Sequence, residues 1–239
     1  MRLYYYTSQH YGLAAIRDKR LKIAKYTELN DPFDFIGVAT GSLKDRNVLK
    51  RLRERISEKE GILCMCRTWV DPLMWGHYAE KHKGICLAFE VDTKDWTRVD
   101  YVEERPKLSD YNKTTVSRLS DDDISDIAIK KFKKWEYEKE YRRFIPLEKP
   151  DYVDGHYFAN FDSSMVLKGV MFGERTTVQL DQLKAILEEN RGLKAMYTRA
   201  AFKSFTVVEA ARKNVALKRM GRMYEPPATI NLKKLREKK

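Results

Sequence analysis

Glu136, Glu138 and Glu140 stand at every second position of the segment Trp135-Glu136-Tyr137-Glu138-Lys139-Glu140-Tyr141-Arg142. On a β-strand this spacing puts all three carboxylates on one face, roughly 7 Å apart. Like charges so placed repel one another unless cations, hydrogen-bond donors or a ligand meet them. Two arrangements answer the pattern. One is a site whose carboxylates stabilise positive charge; the other is a solvated strand on which Glu138 and Arg142 form a surface ion pair worth about 0.2–1 kcal/mol.

Elements that would position such a site can be read from periodicity. Residues 3–7 read as a strand, 12–19 as a short helix and 21–26 as a second strand, a strand-helix-strand opening. Asn30-Asp31-Pro32-Phe33 breaks regular structure, because Pro32 biases Asp31 away from helical geometry and Asn30 favours a turn. Residues 43–58 carry an apolar stripe at Val48, Leu49, Leu52 and Ile56 with a basic outer face. A strand is expected at 62–66, a helix at 71–81 opened by Asp71 and Pro72, and a strand at 84–91 that pairs with 98–103 as a hairpin. Residues 121–134 read as a helix leading directly into the carboxylate strand at 136–147. After an aromatic loop at 149–163 come a strand at 165–172, a helix at 177–189 and a strand pair at 194–199 and 205–208. Trp75 and Tyr78 share a helix face and read as a core anchor.

The 239 residues, 43% hydrophobic, support a core for one large α+β domain, placed at residues 1–209. The net charge of +12 is uneven: from Arg191 onward 14 Lys+Arg face 3 acidic residues, a local +11. Residues 210–239 therefore read as a basic helical extension and tail, with Arg212, Lys213, Lys218, Arg219 and Arg222 as candidate nucleic-acid contacts. Three cysteines and no leader-like start point to a cytoplasmic chain with reduced thiols. No apolar run approaches the ~20 residues that span a bilayer, so no membrane insertion is expected.

Several chemistries find no support. Cys64 and Cys66 lack finger spacing, and His77 and His82 are five apart, so no metal is assigned. The glycine at Phe172-Gly173-Glu174 lacks the lysine and spacing of a phosphate loop, and no Gly-x-Ser-x-Gly elbow occurs.

Taken in order, Leu3-Tyr4-Tyr5-Tyr6, Asn30-Asp31-Pro32-Phe33, Met74-Trp75-Gly76-His77-Tyr78-Ala79 leading to Lys83-Gly84, and the acidic segment at 135–142 resemble a bacterial and phage family of domains of unknown function, over residues 3–173. The opening is also similar to the first nicotinamide-site strand of ADP-ribosyltransferases of the histidine-tyrosine-glutamate kind, with Tyr5 where that pattern has histidine. That resemblance implies a mixed, mainly antiparallel sheet flanked by helices and split as in those enzymes. It also implies NAD held by Tyr5, Thr7 and a stacking Tyr26, with Glu138 or Glu140 as the catalytic carboxylate.

The leading expectation is an NAD-using ADP-ribosyltransferase-like protein, or a glycohydrolase, acting on nucleic acid or a nucleic-acid-associated target in phage–host conflict. Its rival is a non-catalytic nucleic-acid-binding protein that uses the basic C-terminal segment. A third reading is a scaffold whose tail docks an acidic protein.

Overall fold

A computed structural model describes residues 1–34, 37–147 and 155–227. In chain order the elements are β1 (Arg2–Thr7), α1 (Gln9–Asp18), β2 (Arg20–Ile23), α2 (Leu43–Lys59), β3 (Glu60–Cys66), α3 (Pro72–Tyr78), β4 (Ile85–Val91), β5 (Thr97–Arg98), β6 (Asp100–Val102), α4 (Asp121–Ala128), β7 (Lys130–Phe132), β8 (Glu140–Pro146), β9 (Tyr157–Asn160), β10 (Met165–Phe172), α5 (Leu180–Glu189), β11 (Lys194–Ala200), β12 (Val207–Glu209) and α6 (Val215–Arg219). Local chemistry sets many of the boundaries. Ser8, Ser42, Asp71 and Ser120 each accept a backbone N–H at the start of α1, α2, α3 and α4. Lys19, left-handed at φ 52°, ends α1.

Eight strands form one mixed, mainly antiparallel sheet in the order β12-β11-β10-β4-β1-β3-β8-β5. Its parallel pair is β10/β11, joined through α5 as parallel neighbours require. β1 lies fully along β4, from Arg2 opposite Glu90 to Thr7 opposite Ile85, and β3 runs along β8 from Glu60 opposite Pro146 to Cys66 opposite Glu140. Between these two halves, β1 meets β3 at the single pair Tyr4–Cys66. The sheet is thus continuous but nearly divided at its middle, and a wedge opens there.

The core is built on the first half. Leu3, Ile85, Leu87, Phe89, Met165 and Phe172 have 1% exposure or less. Trp75 is fully buried and its indole N–H donates to the Trp69 carbonyl at 2.7 Å, so the expected anchor role of this residue stands. Smaller clusters around Tyr26 and Ile62, and around Val38, Val116 and Ile127, sit under α2 and α4.

Tertiary pairing corrects four expectations. The helix at 121–134 stops at Ala128, and Lys130–Phe132 becomes a strand parallel to Asp100–Val102, because the acidic first turn favours helix only at its own end. The hairpin of 98–103 with 84–91 does not form: Thr97 and Arg98 pair with Arg142 and Tyr141 instead. The strand from 136 begins only at Glu140, since Lys133–Glu138 is a 3-10 helix closed by left-handed Lys139 (φ 48°). α3 ends at Tyr78 rather than 81; Glu80, Lys81 and His82 are all left-handed, which turns the chain sharply into β4. The aromatic loop at 149–163 contains β9, paired with β2, while its residues 149–154 lie outside the described residues.

The boundary expected after residue 209 is absent from the packing. Asn214, fully buried, exchanges two hydrogen bonds with the Tyr197 backbone (2.8 and 2.9 Å), and Leu217, Met223 and Tyr224 complete the core. A side chain at Gly169 would lie 2.1 Å from the Tyr224 ring, and Arg2 donates to the Tyr224 hydroxyl at 2.7 Å. The domain therefore runs through Tyr224, and residues 228–239 lie outside the described residues. Tyr224→Ala is expected to cost about 3–5 kcal/mol, the usual loss for a large buried aromatic. That corresponds to a fall of roughly 10 °C in Tm, read by circular dichroism.

Candidate functional site

The carboxylates at 138 and 140 are not solvated. Glu138 and Glu140 are 3% and 4% exposed, and with Asp34, Lys131 and Arg142 they form a buried charge cluster. β8 supplies Glu140 and Arg142 two residues apart on one face. β7 supplies Lys131, the 3-10 turn supplies Glu138, and the turn after Pro32 supplies Asp34. Arg142, fully buried, donates through Nε to Glu140 Oε1 at 2.7 Å, through Nη1 and Nη2 to the two Asp34 oxygens at 3.0 and 2.6 Å, and through Nη1 to the Ala128 carbonyl at 2.7 Å. Lys131 Nζ donates to Glu138 Oε2 at 2.6 Å and Glu140 Oε2 at 2.9 Å. The Tyr78 hydroxyl closes the network by donating to Glu138 Oε1 at 2.5 Å, and it accepts from Asn30 Nδ2 at 3.0 Å. The Glu140 N–H donates to the Tyr101 hydroxyl at 2.8 Å. Glu136 stays exposed, because the 3-10 turn breaks the every-second-residue face.

Three carboxylates against two cations leave one negative charge without a counterpart, and the two glutamates respond differently. Burial works to raise Glu140, but Arg142 and Lys131 together hold it down to about 2. For Glu138 burial wins: it pushes the carboxyl above its ordinary 4.5, the Glu140 charge adds to the rise, and Lys131 only partly opposes it. Lys131 remains an ammonium despite burial because Glu140, Glu138 and Asp34 surround it. Two neighbouring carboxyls with pKa values driven apart can divide labour, one fixed as an anion and the other poised to gain or lose a proton.

Two cavities adjoin the cluster. The first, about 260 Å³, fills the wedge between β1 and β3 and is lined by Tyr5, Cys64, Tyr78, Glu138 and Glu140 among others. Burial pushes the Tyr5 phenol up to about 12, so it is a neutral donor, and its hydroxyl has no partner among the described residues. The second, about 670 Å³, is lined by Phe33, Arg105, Phe132, Trp135 and Tyr137 among others, with Asp31, Glu103 and Glu104 also on its walls. Asn30, Asp34 and Lys131 line both. Trp135 lies 5.9 Å from Tyr137 and 5.2 Å from the Lys131 ammonium, and exposed His77 packs edgewise on Trp135 at 6.5 Å. Among the described residues no group of His, Cys, Asp or Glu could hold a metal ion, and no helix is long and apolar enough to cross a membrane.

Tyr5, Glu138 and Glu140 thus come together at one cavity. Thr7 does not join them; it lies at the far end of β1, against Gly12 and opposite Ile85. Tyr26, expected to stack on a ligand, is fully buried with Ile62 and Ala128, and its hydroxyl donates to Glu60 at 2.8 Å, so its ring has no open face to offer. The basic candidates lie at the opposite edge of the sheet, beyond β11. Arg212, Lys213 and Arg219 are exposed there without an ion-pair partner among the described residues, whereas Lys218 pairs with Glu209 at 2.7 Å. Arg222 is structural: it donates to the Leu193 and Asn190 carbonyls at 3.1 and 3.0 Å and to that of Leu187, closing the end of α5.

Sequence reading missed Asp34, Lys131 and Tyr78 as members of the site and placed Arg142 on the surface. Tyr78 carried a faint signal in its spacing from Trp75. Lys131 carried none, since it looked like one more cation at a helix end.

A family model described as a protein of unknown function (DUF2971) matches residues 74–143. The chain is similar to that family over a stretch that contains Tyr78, Lys131, Glu138, Glu140 and Arg142; Tyr5 and Asp34 lie outside it. No curated protein and no solved structure matches the chain.

Glu140→Gln is expected to cost about 3–5 kcal/mol, because it removes the buried carboxylate to which both the Arg142 guanidinium and the Lys131 ammonium donate. Glu140's contribution is complete above the ordinary carboxylate value and is lost as pH falls toward about 2. Glu138→Gln should change stability far less, since the fold already disfavours the Glu138 anion. Urea unfolding of the two variants at neutral pH separates these outcomes.

Proposed function

We propose that the protein uses NAD as a substrate, cleaving the bond between nicotinamide and ribose and passing ADP-ribose to an acceptor or to water. The single observation that carries this reading is that the Glu138 and Tyr5 side chains line one cavity, in the wedge where the sheet almost divides. The resemblance of the opening strand to ADP-ribosyltransferases supports the same assignment. The adjoining aromatic cavity has the size and lining of a site for flat heterocycles.

As the C1′–N bond breaks, its electron pair leaves with nicotinamide and positive charge builds on the ribose. Glu138 brings the cluster's surplus negative charge to that position, an electrostatic contribution of a few kcal/mol. Tyr5 donates to a ribose hydroxyl. Glu140, held by Arg142 and Lys131, fixes the Lys131 ammonium and through it the carboxylate of Glu138. The acceptor forms its bond to C1′ and releases a proton to solvent.

The test is NAD turnover by the full chain, with and without added DNA or RNA. Glu138→Gln should lower kcat about 10²- to 10³-fold with little change in Tm. Tyr5→Phe should mainly raise KM. The active form is the Glu138 carboxylate, so turnover should fall as pH drops through a pKa raised above 4.5. Absence of NAD binding and turnover in every condition overturns the reading.

A second reading, a non-catalytic nucleic-acid-binding protein, is favoured by the exposed Arg212, Lys213 and Arg219, which have no ion-pair partner among the described residues. Replacing these three by Glu should then abolish salt-sensitive DNA or RNA binding.

A further inference from the structure

Helix α2 carries seven Lys and Arg against Asp45, Glu54 and Glu58, and Asp45 is withdrawn from the surface because it accepts the Val116 N–H at 3.0 Å. Arg46, Lys50 and Arg53 recur at intervals of four and three, which places them along one side of the helix. They line a groove of about 330 Å³ whose opposite wall includes Arg105, with Val38, Thr40 and Leu49 completing it. No carboxylate lines this groove, and none of its four cations has an ion-pair partner among the described residues. Arg53 gives Nη2 to the Tyr26 carbonyl at 2.6 Å, while its buried Nε has no hydrogen-bond partner among the described residues. Four like charges gathered around a concave surface repel one another and call for an anion.

Arg105 belongs also to the 670 Å³ aromatic cavity, where its guanidinium lies 5.3 Å from the Phe33 ring centre. The cationic groove and the chamber, whose walls carry Phe33, Phe132, Trp135 and Tyr137 as well as Asp31, Asp34, Glu103 and Glu104, thus share Arg105 as a common wall. From Arg46 to Arg53 the helix rises about 10 Å, longer than one phosphate group. A run of cations beside aromatic side chains matches a chain of phosphates from which a base turns aside to stack.

We infer that this groove binds single-stranded nucleic acid, with phosphodiester groups along Arg46, Lys50, Arg53 and Arg105 and one unstacked base in the aromatic chamber beside Trp135. Duplex is excluded because a paired base cannot enter the chamber without leaving its stack. The assignment moves the nucleic-acid contact from the C-terminal basic residues, at the far edge of the sheet, to α2. It stands whether or not NAD is consumed. If NAD is consumed, the base lies next to the cavity of Glu138, since Asn30, Asp34 and Lys131 wall both chambers.

The experiment is fluorescence anisotropy of labelled single-stranded DNA and RNA oligonucleotides with the full chain, titrated over salt. It compares wild type, Arg46→Glu/Lys50→Glu, and Arg212→Glu/Lys213→Glu. The α2 pair should weaken binding more than tenfold and reduce the slope of log K against log salt by about 1.4, since each lost single-strand phosphate contact removes about 0.7. The C-terminal pair should bind as wild type. Trp69, Trp75 and Trp96 are buried, so quenching of tryptophan emission by the oligonucleotide should vanish in Trp135→Phe. All substituted α2 side chains are exposed, and thermal melting checks that the variant folds. Absence of binding at 50 mM salt, loss of binding only in the C-terminal pair, or equal affinity for duplex overturns the inference. So does an α2 variant that raises the KM for NAD while binding oligonucleotides normally, which would assign the groove to the dinucleotide's own phosphates. NAD turnover without nucleic acid should be unchanged in the α2 pair, and this keeps the outcome separate from that of the proposed reaction.

Discussion

The guanidinium of Arg142 is the point on which the second half of the molecule is organised. Buried without contact to solvent, it reaches β8 through Glu140, the turn after Pro32 through Asp34 and the end of α4 through Ala128. A charge in that position is tolerable only when its donors are met, because desolvation costs several kcal/mol per ion. Three segments far apart in sequence are thereby held to one geometry. Lys131 repeats the device from β7, in the separate sheet it forms with β6, and ties Glu138 to the same frame. What results is rigid in charge as well as in shape, since a small move of any member strands a buried ion.

The near-division of the sheet gives this cluster access to a cavity. Along most of their lengths β1 and β3 prefer other partners, β4 and β8, and they touch only through Tyr4 and Cys66. A fully paired sheet would bury the same carboxylates behind backbone. Here the wedge lets Tyr5 and Glu138 line the same space, while α3 and its left-handed turn set Tyr78 against Glu138. The larger aromatic chamber shares Asn30, Asp34 and Lys131 with that wedge, and Arg105 with the cationic groove.

Many elements of the chain were legible in the sequence, for local reasons. Short apolar and aromatic runs pointed to β1, β3, β4 and β10; the stripe of Val48, Leu49, Leu52 and Ile56 pointed to α2, the acidic start at 121 to α4, and Asp71-Pro72 to α3. The acidic segment was legible as important and misread in shape. Its alternation described a strand, but Tyr137 and Glu138 belong to a 3-10 turn that only left-handed Lys139 converts into β8. Tyr26 shows the opposite failure: the resemblance to ADP-ribosyltransferases implied a ring free to stack on nicotinamide, and packing buried it.

By itself the sequence determined which residue types could do chemistry, the composition of the core and the elements whose boundaries are set by neighbours along the chain. Only the tertiary structure decided which charges meet. Asp34 and Arg142 are 108 residues apart, and nothing local relates them. Burial then assigned opposite pKa shifts to Glu138 and Glu140, two residues apart with the same side chain, because one faces a guanidinium and an ammonium and the other an ammonium and a phenol. Electrostatic environment depends on the distance between groups in space and on the water excluded around them, and neither quantity exists until the chain has folded.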